Sequence, residues 1–175
     1  PIVLGANYLE DMFVPHYHVF NNKKRFINYY YYVNRKSMLM LGPNLDLDSM
    51  DIKLDRGYEN LVYINSNKNK FDIVDGIITS NCRTISILLM GVAIVMGAER
   101  IFTVGMDGYF IKNSDFHFYK EDESADKKII REKHKSSYRH INEIDGYLRK
   151  CGKEGIHILT PTSYEKFYKG IDNYL

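Results

Sequence analysis

Apolar and polar positions alternate in blocks along the chain, and the blocks predict strands and helices in turn. Short apolar runs that end at Gly, Asn or Pro predict buried strands at residues 1–5, 16–20, 37–41, 100–105 and 155–160, with 62–64 as a weaker candidate. Helices are expected at residues 23–32, 83–97 and 127–150, and from residue 163 onward. This alternation is typical of an α/β domain whose mostly parallel sheet is covered on both faces.

The strongest single signal is residues 83–97, which are apolar on nearly every helical face. Such a segment predicts a buried helix rather than an amphipathic surface helix. Thr79, Ser80 and Asn81 offer caps at its start. The next predicted strand ends in Gly-Met-Asp-Gly-Tyr. Helix, tight turn and apolar strand together predict the second half of a β-α-β unit.

Length and composition narrow the class of protein. The 175 residues, 45% of them hydrophobic, suit one domain over residues 1–175, and the polar stretch within 110–133 predicts a mobile loop or lid. The sequence has no apolar run long enough to span a bilayer. A net charge of +2 gives no reason to expect a nucleic-acid partner. The tyrosines at 29–32 suit either a stacking surface or a helix that buries two rings.

The spacing of the cysteines and the start of the sequence indicate where in the cell the protein is expected. Cys82 and Cys151 are far apart, so neither a disulfide framework nor a zinc site is expected, and the cytoplasm is the default compartment. The chain opens at Pro1 without the basic segment of a secretory signal, and its missing initiator Met suggests a fragment. Location at the inner face of a bacterial membrane, peripheral contact with that membrane and homo-oligomer formation stay open.

Polar residues collect where the predicted strands end. Ligands of open parallel sheets bind beyond those carboxyl ends, and neutral Asn, Ser, Thr and Gly suit a nucleotide or a sugar, although ordinary turns have the same composition. The start of the buried helix, with Ser80, Arg83 and Thr84, would favour a phosphate, and ordinary capping is the alternative. The sequence contains neither GxGxxG nor a P-loop lysine motif.

Two ionisable residues are candidates for chemistry. Asp107 follows a predicted strand between two glycines, where a carboxylate suits a metal, a ribose or an acceptor hydroxyl, or caps the turn. His134 follows the polar loop near a helix start, where an imidazole suits a general base or is simply solvated. His16 and His18 have the spacing of one strand face, but no third ligand accompanies them, so no metal is expected.

Residues 84–109 resemble the central segment of the family 42 bacterial sialyltransferases. They also resemble the related domain associated with 6-hydroxymethyl-dihydropterin diphosphokinases. The shared pattern is a helix rich in small residues, a Gly, and a strand ending in Gly-hydrophobic-Asp followed by an aromatic. Residues 4–7, 19–22, 134–137 and 156–163 look like further segments of the sialyltransferases, so the resemblance covers most of the chain.

The resemblance implies a Rossmann-like three-layer α/β domain with a mostly parallel sheet and a lid-like insertion. It implies transfer of sialic acid from a CMP donor to a sugar hydroxyl without a metal. The implied roles are nucleotide binding by Asn7 and by Asn21 or Asn22, donor contact by Thr84, phosphate contact by Tyr109 with Tyr119 as a second candidate, and proton abstraction by His134.

Three hypotheses follow. The first is a nucleotide-sugar-dependent glycosyltransferase-like domain of bacterial surface glycan synthesis, with a CMP-type donor, a glycan acceptor and no further cofactor. The second is a diphosphokinase-like enzyme that binds ATP and magnesium through the Asp107 region. The third is a non-catalytic Rossmann-like module of a polysaccharide-synthesis protein. The family's Asn-Gly-Pro-Ser loop would lie upstream of Pro1, and its Ser-Gly helix opening is Ile85-Ser86 here.

Overall fold

The computed structural model describes residues 1–9, 12–64, 70–80, 84–108 and 127–174, with the backbone alone for 127–130. Within these ranges the chain is a mixed α/β protein. Its strands are β1 (Leu4–Ala6), β2 (Tyr17–Phe20), β3 (Met38–Leu41), β4 (Tyr58–Asn60), β5 (Tyr63–Ile64), β6 (Asp72–Val74), β7 (Ile77–Thr79), β8 (Arg100–Thr103) and β9 (Gly155–Ile158). Its helices are α1 (Lys23–Tyr29), α2 (Ile85–Val95) and α3 (Lys127–Lys150).

The described strands form three hydrogen-bonded sheets rather than the one sheet expected. The largest is the parallel sheet β1-β2-β3-β4, in which Gly5 lies opposite His18 and His18 opposite Leu39. The second has the order β5-β7-β6, with β5 and β7 parallel and β6 and β7 antiparallel. The third is the parallel pair β8-β9, with Arg100 opposite Gly155. Parallel pairing therefore dominates, as the alternation of strands and helices predicted.

Helices cover both faces of the four-stranded sheet. Leu39 and Leu41 of β3 pack with Phe26 of α1 in one core cluster. Met40 lies between those two leucines in the sequence and packs against the other cluster, to which α2 and α3 contribute. Because successive strand side chains point to opposite faces, α1 and α2 lie on opposite sides of this sheet. The predicted buried helix is confirmed, since Leu88 is fully buried.

Helix α2 begins later than its predicted caps. Thr84 is the N-cap, and its hydroxyl oxygen accepts a hydrogen bond of 3.4 Å from the backbone N–H of Ile87. Thr79 instead belongs to β7, and Ser80 is fully buried directly after that strand. Asn81 lies outside the described residues. The prediction that Thr79 or Ser80 caps the helix is therefore wrong, because strand pairing takes up that part of the chain.

The helix predicted from residue 163 onward does not form either. Two separate 3-10 turns, Glu165–Phe167 and Ile171–Asn173, take its place. Phe167 is buried in the core, and Lys169 N donates to the carbonyl of Ile158 at 2.9 Å. The chain therefore leaves the first turn in an extended form alongside β9. This edge pairing takes up backbone groups that a longer helix would need.

Helix α3 matches its predicted bounds. Its stripe of Ile141, Ile144 and Leu148 is fully buried against α2 and β9. The predicted lid spans residues 110–133. Residues 127–133 instead form the first two turns of α3, and residues 110–126 lie outside the described residues.

Candidate functional site

The turns that follow β8 and β9, residues 104–108 and 160–164, lie side by side and are called the strand-end loops here. Since β8 and β9 are parallel neighbours, both turns leave the same edge of the sheet. Three of the four hydrogen bonds that join them are Gly105 N–H to Thr160 Oγ1 at 3.1 Å, Thr162 Oγ1–H to Met106 O at 2.6 Å, and Ser163 N–H to Asp107 O at 2.7 Å. The loops therefore form one fixed surface at the sheet edge.

Helix α3 brings His134 to this surface. Its imidazole stacks on the ring of Tyr164, with centroids 4.7 Å apart and planes within 3° of parallel. Its Cε1 atom lies 3.4 Å from the place that a Cβ on Gly108 would take. Burial lowers the pKa of His134 below its usual 6.5. The ring is therefore neutral near pH 7, which is the form that accepts a proton.

Asp107 belongs to the same surface. Its carbonyl oxygen also accepts a hydrogen bond of 3.2 Å from the hydroxyl of Ser163. Burial raises the pKa of its carboxyl group above the usual 3.8. Asp107 directly precedes Gly108, and the imidazole of His134 lies beside Gly108, so these two predicted catalytic residues belong to the same part of this surface. The third, Tyr109, lies outside the described residues.

A matched pair of glycine variants tests how closely the strand-end loops pack. Gly105 and Gly108 both have positive φ, 68° and 76°, so alanine at either should cost about 1–2 kcal/mol of left-handed backbone strain. A Cβ at Gly108 would also collide with Ser163 Oγ, whereas one at Gly105 has nothing within 4 Å. Gly108→Ala should therefore lower the free energy of unfolding by about 1 kcal/mol more than Gly105→Ala, measured by urea denaturation. Equal losses would contradict the packing described here.

Two of the three predicted nucleotide asparagines stand at neighbouring strand ends. Asn7 follows β1 with a left-handed φ of 57°, and its carbonyl lies 2.7 Å from Nε2 of the buried His18. Asn21 follows β2, and its Nδ2 donates to the Tyr63 hydroxyl at 3.2 Å. Asn22 has a different task, since its Oδ1 accepts from Arg25 N at 3.0 Å and so caps α1.

The predicted phosphate-binding residues are only partly described. Ser80 is fully buried, and its hydroxyl has no hydrogen-bond partner among the described residues. Thr84 caps α2, which is the ordinary use of a threonine there. Arg83 and Tyr119 lie outside the described residues. Phosphate binding at this helix start thus stays a prediction.

His16 and His18 each contact a backbone group at one end of β1. The Nδ1 of His16 accepts a hydrogen bond from Val3 N at 3.0 Å, and His18 contacts the carbonyl of Asn7. Burial lowers the pKa of His18, its bond to Asn7 opposes this, and the charge of Arg56 lowers the pKa further. In the part of the chain that the structure describes, no group of three or more His, Cys, Asp or Glu is placed to hold a metal ion.

Sequence reasoning missed two features of this region. Tyr164, the stacking partner of His134, comes directly after residues 156–163, the last segment with a resemblance to the sialyltransferases, and could have been found by extending that segment by one residue. The second is a pocket between β1, β2 and the end of α1, lined by Asn7, Tyr8, His18, Tyr29 and Tyr32 among others. No sequence pattern signals it, because its walls come from three separate segments.

Across the described ranges, the helices are too short or too polar to cross a membrane. The chain matches no protein-family model, no curated protein and no solved structure.

Proposed function

We propose that this chain is a nucleotide-sugar-dependent glycosyltransferase-like domain of bacterial surface glycan synthesis, with a CMP-type donor and a glycan acceptor. The observation that carries the proposal is the position of His134, whose neutral imidazole lies against Gly108 where the strand-end loops meet. The resemblance of residues 84–109 to family 42 sialyltransferases supplies the reaction class. A Rossmann-like fold, a lid within 110–133 and a cytoplasmic location at the inner face of the membrane belong to the same proposal.

The chemistry needs one proton acceptor. The acceptor hydroxyl attacks the anomeric carbon of the donor sugar, the bond from that carbon to the phosphate oxygen breaks, and the hydroxyl proton must leave. His134 takes this proton as general base. Stacking on Tyr164 fixes the plane of its ring, so the ring needs little reorganisation when the acceptor arrives. Tyr109 is assigned to the leaving phosphate by resemblance.

The nucleotide is assigned to the carboxyl ends of β1 and β2. Asn7 and Asn21 follow neighbouring parallel strands there, and their uncharged amides both donate and accept hydrogen bonds. Ligands of parallel sheets bind at such ends. Asn22 is left out of the nucleotide site, because its side chain caps α1.

Calorimetric titration with CMP, CDP and ATP, each with and without magnesium, tests this proposal. Binding of CMP that is independent of magnesium is the expected result. Binding of ATP that requires magnesium would favour the diphosphokinase-like alternative. Binding of none of the three would overturn the transferase proposal and favour a non-catalytic module.

A further inference from the structure

The side chain of Asn21 is held in place by residues from two other segments of the chain. Its Nδ2 donates a hydrogen bond of 3.2 Å to the hydroxyl of Tyr63 in β5. Its other side-chain atoms lie against Gly42, the residue that follows β3. The proposed transfer uses Asn21 as a nucleotide contact, but it gives neither Tyr63 nor Gly42 a role.

The glycine at position 42 is explained by the side chain of Asn21 rather than by its own backbone. Its φ lies outside the left-handed region, so backbone strain does not account for it. A Cβ at Gly42 would instead collide with Oδ1 and Cγ of Asn21. A larger residue at this position would therefore displace the amide of Asn21 from its place at the end of β2.

Tyr63 supplies the polar contact of the Asn21 side chain. Its ring packs against the core cluster to which α2 and α3 contribute, so its hydroxyl is carried on an anchored ring. β5 and β2 belong to different hydrogen-bonded sheets. The hydrogen bond between Asn21 and Tyr63 therefore connects two sheets at the end of β2.

The same contacts decide which atoms of Asn21 a ligand can use. Its Oδ1 is buried beside Gly42 and has no hydrogen-bond partner among the described residues. Its Nδ2 carries two protons, and one of them goes to Tyr63. The side chain is only partly buried, so the second N–H is the group that it offers to a ligand. Its partner must be an acceptor, such as a phosphate or ribose oxygen.

We infer that Tyr63 and Gly42 are positioning residues for Asn21, which fix its amide so that the second N–H donates to an oxygen of the donor nucleotide. The inference rests on the proposed function and deepens it, because it adds two residues that act through Asn21. A side chain held in one conformation before binding loses less entropy when the ligand arrives. Release of Asn21 should therefore lower the affinity for the nucleotide.

Calorimetric titration with CMP, arranged as a double-mutant cycle, tests the inference. Tyr63→Phe keeps the ring in the core and removes the hydroxyl, and it should weaken CMP binding about 3- to 10-fold. Asn21→Ala should weaken CMP binding about tenfold or more. In the Asn21→Ala background, Tyr63→Phe should have no further effect, because a positioning residue acts through the residue that it holds.

Gly42→Ala tests the second contact, and Gly57→Ala is its matched control. Neither glycine has a left-handed φ, but a Cβ at Gly57 would have nothing within 4 Å. Gly42→Ala should weaken CMP binding about as much as Asn21→Ala, whereas Gly57→Ala should bind like the intact chain. Tyr58→Phe is the control for Tyr63→Phe, since Tyr58 is an exposed residue of β4 and its hydroxyl is not the one that holds Asn21.

Transfer kinetics separate positioning from a general loss of structure. In Tyr63→Phe the KM for the donor should rise while kcat stays the same, because the general base His134 keeps its contacts. An affinity for CMP equal to that of the intact chain, an equal effect of Tyr63→Phe in both backgrounds, or a fall in kcat at unchanged KM would overturn the inference and leave the transferase proposal standing. If the intact chain binds no CMP, the proposed function falls and this inference falls with it.

Discussion

Replacing His134 with alanine is expected to lower the rate of sugar transfer about 10²- to 10⁴-fold, the usual contribution of a positioned general base. The affinity for CMP should stay nearly the same, because the nucleotide is assigned to Asn7 and Asn21 at the ends of β1 and β2, whereas His134 lies on α3. Steady-state kinetics together with calorimetry measures the two effects separately. Unchanged turnover would remove His134 from the mechanism.

The pH dependence gives a second readout for the same residue. Burial lowers the pKa of His134 below 6.5, so the neutral base predominates at pH 7. As the pH falls through that lowered pKa, the ring becomes protonated and the rate should fall with it. His134→Gln keeps a polar side chain of similar length but carries no titrating proton. Its residual rate should be as low as that of His134→Ala. This rate should not decrease further as the pH falls below the pKa of His134.

Replacing Asp145 with alanine is expected to lower the free energy of unfolding by about 2–3 kcal/mol, a larger loss than most single substitutions cause. Asp145 is 3% exposed, and its Oδ1 accepts a hydrogen bond of 3.0 Å from the backbone N–H of Ile156 in a buried setting. Alanine would leave that N–H buried without a partner. Urea denaturation measures the loss.

Two control variants separate the parts of this interaction. Asp145→Asn keeps an acceptor oxygen for Ile156, so its loss should be about 1 kcal/mol. Arg149→Ala removes the ion pair in which Arg149 Nε lies 2.9 Å from Asp145 Oδ2. Arg149 is 57% exposed, so this pair should contribute at most about 1 kcal/mol. If Asp145→Ala cost no more than Arg149→Ala, the buried bond to Ile156 would be unimportant.

The hydrogen bond between Ile156 and Asp145 also helps to hold the elements that carry the candidate site. It joins α3 to the start of β9, and those two elements bring His134 and Tyr164 to the strand-end loops. Nothing in the sequence signalled Asp145, because it lies on a charged helix among other charged residues.

Local patterns predicted the individual elements well. The period-3.6 stripe of Ile141, Ile144 and Leu148 predicted α3, and β2, β3, β8 and β9 coincide with short apolar runs. The errors came where a residue's use depends on a distant partner. Thr79 is drawn into a strand by pairing with Asp72, and the tail after Phe167 pairs with Ile158. Such competition cannot be read from local propensity.

For the candidate site too, local sequence predicted the residues but not their partners. The sequence pointed to His134, Asp107, Asn7 and Asn21 as polar residues at the edges of predicted elements. It did not show that His134 faces Gly108, that Asn22 serves as a helix cap, or that three tyrosines surround a pocket. Those facts depend on how α3 and α1 pack against separate strands.

By itself, therefore, the sequence determined the class of the fold and most of its strands and helices, because side-chain periodicity and apolar burial act over a few neighbouring residues. The tertiary structure decided the number of sheets, the partner of each polar side chain and the position of the pocket. These depend on contacts between segments far apart in the chain, such as the bond from Ser163 to Asp107. Their geometry is set only when whole elements pack together.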